Sequence, residues 1–83
     1  MRVLYFAWVR EAVGADEEHV TPPPEIVTVA ELLGWLSSRS DGHARAFADR
    51  SRLRAAVDQA FVPLDASVEG AKEVAIFPPV TGG

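Results

Sequence analysis

An apolar run that stops at two prolines constrains the fold of this chain more than any other feature of its sequence. Residues 74–77 form a short, continuous apolar stretch, which is typical of a buried strand. Pro78 and Pro79 follow it directly. Because proline has no N–H to donate and a fixed φ, the strand must end there. The chain is therefore predicted to leave its sheet at Phe77 and to continue in an extended form.

The residues after the prolines taper to a slender end. Val80 and Thr81 are followed by Gly82 and Gly83, and glycine lacks the Cβ that would keep a neighbouring surface at a distance. Fully extended, the residues after Phe77 span roughly 20 Å. A stiff base, a thin tip and a terminal carboxylate suit a group that is carried into another protein's active site. The alternative is a frayed terminus, since chain ends are often small, polar and disordered.

Composition narrows the class of protein and of partner. The chain has 83 residues, of which 48% are hydrophobic, enough for one small packed domain. Its net charge of −4, without a basic cluster, argues against nucleic acid as a partner. The acidic charge suits a basic protein surface or serves solubility alone. No apolar run reaches the length of about 20 residues that a membrane-spanning helix needs, and we expect a cytoplasmic protein.

The side chains offer little chemistry of their own. The chain has no cysteine, which excludes disulfides, thiolate metal sites and sulfur held on a side chain. His19 and His43 lie in different segments with no neighbouring cysteine and no paired acid at ligand spacing, so we expect both at the surface and predict no metal site and no bound cofactor. No nucleophile elbow or phosphate-binding glycine loop is present. By elimination, the carboxylate of Gly83 is the distinctive chemical group.

The first half of the chain predicts two strands and one helix. Residues 3–9 are β-branched and aromatic and are predicted to be one strand, apolar on both faces, so that a second layer or a partner protein must cover the outer one. A weak strand at 17–21, after a turn at Gly14, is expected to pair with it. Thr28 and Glu31 form a capping box for a helix reaching about residue 39. The apolar stripe of that helix consists of Val29, Leu32, Leu33 and Leu36, with Trp35 beside it and half exposed.

The second half predicts a shorter helix and three strands. Asp41 is expected to cap the helix. Strands at 53–57 and 60–64 flank a turn at Asp58-Gln59, and Pro63 indicates that the second of them is an edge. With the strand at 74–77, this order of elements predicts an α+β fold, a sheet with one main helix on one face.

Three stretches resemble a known family. Residues 3–11, 53–59 and 73–83, the last ending Phe-Pro-Pro-Val-Thr-Gly-Gly, are similar to the small subunit of molybdopterin synthase, the MoaD family. The resemblance covers nearly the whole chain; its one departure is at residues 70–72, where the family usually has an Asp-Gly-Asp-type turn. It implies the ubiquitin-like β-grasp fold, with a mixed sheet, a domain over residues 1–77 and a flexible, extended tail over residues 78–83.

The resemblance also implies a function. Members of the family carry sulfur as a thiocarboxylate on the terminal glycine, here Gly83, with Gly82 as the slender link before it. A ubiquitin-activating-like enzyme adenylates the carboxylate with ATP, and a sulfur donor displaces AMP. The sulfur-loaded tail enters the large synthase subunit, which holds the catalytic pocket. There it gives its sulfur to the dithiolene of molybdopterin in molybdenum cofactor biosynthesis. The small subunit is thus not an enzyme on its own, and a heterotetramer of two small and two large subunits is expected.

Strand parity and the resemblance together predict a docking patch. Val74 and Ile76 share the core face of the last strand, so Phe77 faces away. Phe6 and Phe61 fall at positions that the family uses for hydrophobic contact with partners. We predict that these three phenylalanines form one exposed patch at the root of the tail; the alternative is that some of them belong to the core. Partner contact is also expected along the tail, at Pro78, Pro79, Val80 and Thr81.

Other functions stay open on the sequence alone. A terminal Gly-Gly is shared with thiamine-pathway sulfur carriers and with ubiquitin-like protein modifiers. The chain has a single lysine, Lys72, which disfavours a modifier that builds chains on itself. A binding module with an inert tail is the remaining alternative, and deletion of the two glycines would leave its function intact.

Overall fold

A computed structural model describes residues 1–79, and its centre is a five-stranded sheet. The strands are β1 (Arg2–Tyr5), β2 (Glu17–His19), β3 (Arg54–Val57), β4 (Ala60–Val62) and β5 (Glu73–Phe77). The helices are α1 (Ala7–Val13), α2 (Val29–Leu36) and α3 (Asp41–Ala46), and a short 3-10 helix spans Arg50–Arg52. None of the helices in this part of the chain is long and apolar enough to cross a bilayer.

The sheet is mixed and has the last strand at its centre. Its strand order is β2-β1-β5-β3-β4. β1 and β5 run parallel, and the other neighbouring strands are antiparallel. Because β5 is hydrogen-bonded on both sides, the chain after Phe77 leaves from the middle of the sheet. The predicted α+β class and mixed sheet are confirmed, and β4 is an edge strand as predicted.

The core lies between one face of the sheet and the helices. The capping box of Thr28 and Glu31 is present, and Trp35 is half-buried, as predicted. The stripe predicted on α2 is fully buried and consists of Val29, Leu32, Leu33 and Leu36. The sheet contributes Val3, Tyr5, Ala55, Val74 and Ile76 to the same cluster. Each large aliphatic side chain buried in this way stabilises the fold by about 1.5–3 kcal/mol.

The prediction of one strand over residues 3–9 is wrong. β1 ends at Tyr5, and α1 begins only two residues later. The reversal occurs at Ala7, whose φ is 53°; this left-handed conformation costs a residue with a Cβ about 1–2 kcal/mol, and alternating apolar residues give no sign of it. Val9 is then buried on α1, and Gly14, in the predicted turn, ends that helix with a φ of 91°.

The helix boundaries also differ from the prediction. α2 ends at Leu36 instead of residue 39. Ser40 caps α3 instead of Asp41, because the Ser40 hydroxyl accepts a hydrogen bond from the N–H of His43 at 3.1 Å. Asp41 is the first helical residue, where its negative charge is favourable to the helix dipole.

Asp58 ties the β3–β4 turn to the start of β5. Asp58 and Gln59 form the predicted turn, with positive φ of 48° and 73°. The Asp58 carboxylate accepts hydrogen bonds from the backbone N–H groups of Lys72 and Glu73 at 2.9 and 3.0 Å. Gly70, in the connection where the sequence departs from the family, has a φ of 72°. The Asp58 turn therefore fixes the start of the central strand against β3.

Replacing Gly42 with alanine should destabilise the fold. Gly42 lies in the first turn of α3, where an added Cβ would collide with the backbone carbonyl oxygen of Ala12 on α1. The two helices would have to move apart, at an expected loss of about 1–3 kcal/mol in the free energy of unfolding, measured by urea denaturation. Gly34→Ala is the matched control in the interior of α2, where the new Cβ would meet only Arg50 Nη2 at 3.7 Å. It should stabilise the chain by about 0.5–1 kcal/mol, and equal effects of the two changes would contradict the packing described.

Candidate functional site

The centre of the sheet face that points away from the helices is apolar. Ala75 of β5 lies opposite Leu4 of β1 and Ala56 of β3, and Ala56 lies opposite Phe61 of β4. Directly opposite residues on neighbouring strands share a face, so these residues form one row across four strands. Within residues 1–79, the depression over this row is lined only by strand residues, Phe6 and Gln59, and no helix covers it.

Two phenylalanines add a second row beside the first. The N–H of Phe6 donates to the carbonyl of Ile76 at 3.2 Å, which extends the pairing of β1 and β5 by one residue. Phe77 lies next to it on β5, and its ring centroid is 5.6 Å from that of Phe61, at an interplanar angle of 49°. We name the two rows the aromatic patch; it consists of Leu4, Phe6, Ala56, Phe61, Ala75 and Phe77, and it lines a shallow depression of about 360 Å³.

The exposure of the aromatic patch is unusual for its residue types. Phe61 is 83% exposed and Phe6 is 46% exposed, whereas Phe77 is half-buried. A contiguous apolar surface of this kind marks an interaction site more often than a plain solvated face. The three predicted phenylalanines lie on one surface and outside the core, and their contact with a partner stays a prediction.

The aromatic patch ends where the tail begins. Pro78 and Pro79 follow Phe77 directly, carry no strand structure and are half-buried. The remaining predicted site residues, Val80, Thr81, Gly82 and Gly83, lie outside the described residues, and so does the predicted flexibility of the tail. The division into a domain over 1–77 and a tail over 78–83 likewise stays a prediction.

A polar cluster under the sheet was missed by the sequence analysis. His43 is 5% exposed, so the prediction of a surface histidine is wrong at this position. Its Nε2 lies 2.7 Å from Glu18 Oε1, and its Nδ1 lies 2.7 Å from the Ser40 hydroxyl. The Tyr5 hydroxyl donates to the same Glu18 oxygen at 2.7 Å. The signal in the sequence was helical spacing, because His43 shares the buried face of α3 with residues three and four positions later, Ala46 and Phe47.

The cluster ties three elements together and is satisfied internally. Burial alone would raise the pKa of Glu18, but its hydrogen bonds with His43 and Tyr5, together with the charge of Arg39, hold that pKa below its ordinary value. Burial first, and then the hydrogen bond to Glu18, raises the pKa of the Tyr5 hydroxyl. Within residues 1–79, no buried side-chain polar atom lacks a partner, and no three possible ligand side chains meet in a metal site. The cluster joins β1, β2 and α3, and none of its buried polar atoms is left free to bind a ligand.

Glu18→Gln should flatten the dependence of stability on acid pH. Because the pKa of folded Glu18 lies below its ordinary 4.5, its charge stabilises the fold fully above that pH, and this contribution is lost as the pH falls through the lower, folded value. We expect the wild-type chain to lose more unfolding free energy between pH 7 and pH 3 than the variant, measured by urea denaturation at both pH values. The control is Glu17→Gln on the same strand, whose exposed carboxylate lies 3.7 Å from Arg2 and His19. If Glu17→Gln flattens the curve as much as Glu18→Gln, the cluster is not the cause.

Comparison with known proteins gives the family. The sequence profile described as the ThiS family matches residues 3–83. The chain belongs to the ThiS family. Two relatives of this chain carry the name molybdopterin synthase sulfur carrier subunit. The relative from Escherichia coli K12 is 43% identical over 83 residues, which cover 100% of this chain and 99% of the relative. The relative from Haemophilus influenzae is 34% identical over 83 residues, which cover 100% of this chain and 99% of the relative.

Solved structures agree with the fold. A Pyrococcus furiosus protein proposed to be molybdopterin converting factor, subunit 1, superposes with a TM-score of 0.73 at 30% identity, over 95% of each chain. SAMP1 from Haloferax volcanii superposes with a TM-score of 0.71 at 24% identity, over 100% of this chain and 98% of its own, and this likeness concerns the fold alone. The predicted β-grasp fold and the predicted resemblance to the MoaD small subunits are thus confirmed for this ThiS-family chain.

Proposed function

We propose that this chain is the sulfur-carrier subunit of molybdopterin synthase and that Gly83 carries the sulfur as a thiocarboxylate. The observation that supports this most strongly is the match, along essentially the whole of both chains, to relatives that bear the name of that subunit. The absence of cysteine from the sequence is consistent with sulfur held on the backbone terminus. The product served is the dithiolene of molybdopterin, in the biosynthesis of the molybdenum cofactor.

Loading begins with activation of the carboxylate, which is a poor electrophile until one of its oxygens becomes part of a leaving group. A Gly83 oxygen attacks the α-phosphorus of ATP, and pyrophosphate leaves. Sulfur at the oxidation level of hydrosulfide, supplied by the donor, then attacks the acyl carbon, so that a C–S bond forms, the C–O bond to phosphate breaks, AMP departs and the thiocarboxylate remains. The ATP site belongs to a ubiquitin-activating-like enzyme, and this chain contributes only the terminus.

Delivery depends on the geometry at the root of the tail. β5 is paired on both sides, and Pro78 and Pro79, each with a fixed φ, follow it directly, so the tail starts from a stiff base. The aromatic patch lies beside this base and docks on the large synthase subunit, which places Gly83 in that subunit's catalytic pocket. A tip without side chains lets the large subunit close around it and exclude water from the thiocarboxylate.

The intact mass of the chain tests the proposal. After incubation with the activating enzyme, ATP and a sulfur donor, the C-terminal peptide should gain the mass of one oxygen-to-sulfur exchange. Adding the large subunit and the pterin precursor should then return the peptide to its original mass. A known sulfur carrier treated in the same way is the positive control. If that carrier gains the mass and this chain does not, the proposal is wrong. Isopeptide-linked conjugates in place of a thiocarboxylate would indicate a protein modifier instead.

A further inference from the structure

Two residues meet beyond the end of the strand that carries the tail. Trp8 follows β1 in the chain and Arg52 precedes β3, and the guanidinium carbon of Arg52 lies 4.6 Å from the centroid of the Trp8 ring. Because β1 and β3 are the two neighbours of β5, this cation–π contact joins the flanks of the strand just past Phe77, where the tail departs. Such a contact holds an arginine in a defined position at a surface.

A second arginine, Arg54, lies at the same end of β5, where the tail begins. Arg54 lies opposite Phe77 in the ladder between β3 and β5, so it shares the outer face with the aromatic patch and borders it. Its Nη1 donates to the carbonyl oxygens of Leu53 and Ser51 at 2.8 and 3.3 Å. These contacts involve one nitrogen of a group that has five N–H donors. Arg54 is exposed, and we name Arg52 and Arg54 together the basic collar.

In the part of the chain that the structure describes, the two arginines of the basic collar are not paired with a carboxylate, in contrast to Arg2 and Arg39. Arg2 pairs with Glu73 at 2.6 Å, and Arg39 lies 3.8 Å from Glu18. Within residues 1–79, neither collar arginine forms a salt bridge with a carboxylate.

One acidic side chain of the same segment lies near Arg52. The pKa of Asp49 is lowered mainly by its hydrogen bond with Ser51 and only in part by the charge of Arg52. Since the Asp49 carboxylate accepts hydrogen bonds from the Ser51 hydroxyl and N–H, it is committed to its own turn. Arg52 and Arg54 thus place two positive charges at the root of the tail, partly offset by Asp49, in a chain whose net charge is −4.

We propose that the basic collar binds acidic side chains at the mouth of the channel that receives the tail in the large synthase subunit. This inference rests on the proposed function, because it needs a partner that encloses the tail. The net charge of the chain alone suggested a basic partner surface. Because the local charge at the root of the tail is positive, we expect the partner surface at that place to be acidic. A charged rim beside an apolar patch is also the usual anatomy of a protein–protein interface.

Distance favours a protein surface over a small anion as the occupant of the collar. A fully extended tail would place Gly83 roughly 20 Å from Phe77, whereas Arg54 is the cross-strand neighbour of Phe77. A phosphate bound to the activated terminus therefore lies beyond the reach of the collar. The rim of the channel around the tail root is the part of the partner that remains close enough.

Charge reversal tests the collar against a matched control. Arg52→Glu and Arg54→Glu each change the charge by the same amount as Lys72→Glu, and Lys72 is exposed and precedes β5, at the end opposite the tail. Association with the purified large subunit is measured by stopped-flow mixing at 50 mM and 500 mM salt. We expect each collar variant to associate about tenfold or more slowly at low salt and to approach wild type at high salt, where charges are screened. Lys72→Glu should stay within about threefold of wild type under both conditions.

The outcomes separate the collar from the proposed function. If wild type binds and all three variants associate alike, the collar is wrong and the proposed function stands. A loss that is equal at both salt concentrations also overturns the collar, because it reports altered packing instead of a charge contact. Arg54→Glu leaves the contact between Arg52 and Trp8 in place, so it decides the question if Arg52→Glu unfolds. A wild-type chain that does not bind the large subunit overturns both proposals.

Discussion

A chain that lacks Gly82 and Gly83 will acquire no measurable thiocarboxylate from an activating enzyme that loads the full-length chain, and will support no molybdopterin synthesis. The reason is geometric as well as chemical. The new terminus would be Thr81, which carries a β-branched side chain and stands two residues, or about 7 Å, closer to the sheet. Both the reactive group and its reach are lost, and intact-mass measurement together with a synthesis assay checks the result.

The fold of the truncated chain provides the control. β5 ends at Phe77, and the deletion begins five residues later, so the midpoint of urea unfolding should stay that of the full-length chain. The truncated chain keeps the aromatic patch and the collar, so it should compete with the loaded carrier for the large subunit and inhibit synthesis. Synthesis supported by the truncated chain would instead favour a binding module whose tail is inert.

Phe61→Glu and Phe77→Glu should each weaken binding to the large subunit strongly. Removing a buried aromatic anchor from the centre of an interface costs about 2–4 kcal/mol of binding free energy, which corresponds to a roughly 30- to 700-fold increase in Kd. A carboxylate desolvated against an apolar partner adds to that loss. Isothermal titration calorimetry with the large subunit measures the change.

Phe61→Glu is the more decisive of the two variants. Phe61 is 83% exposed, so its replacement should change the free energy of unfolding by no more than about 0.5 kcal/mol. Ala44→Glu is the matched control, because it adds the same charge at an exposed position of α3, on the helical side of the sheet. Equal affinities of Phe61→Glu and Ala44→Glu would exclude the aromatic patch as the docking surface.

Local patterns predicted the parts of this protein that depend on neighbouring residues. The predictions of the capping box at Thr28 and of the stripe on α2 are confirmed, because the first depends on two residues three positions apart and the second on the period of a single helix. The strand at β5 and its end at Pro78 were read correctly because proline cannot continue a ladder. The same logic failed at Ala7, whose reversal depends on how β1 and α1 both pack on the core.

The candidate site divides along the same line. The prediction that Gly82 and Gly83 form a thin tip for a reactive group was drawn from the residue types alone, and it stays a prediction. That Phe61 lies against Phe77, and that Arg52 meets Trp8 across the end of β5, was decided by strand order and register. A sequence specifies periods and stops through short-range geometry, whereas contacts between distant segments exist only after the sheet has brought its strands side by side.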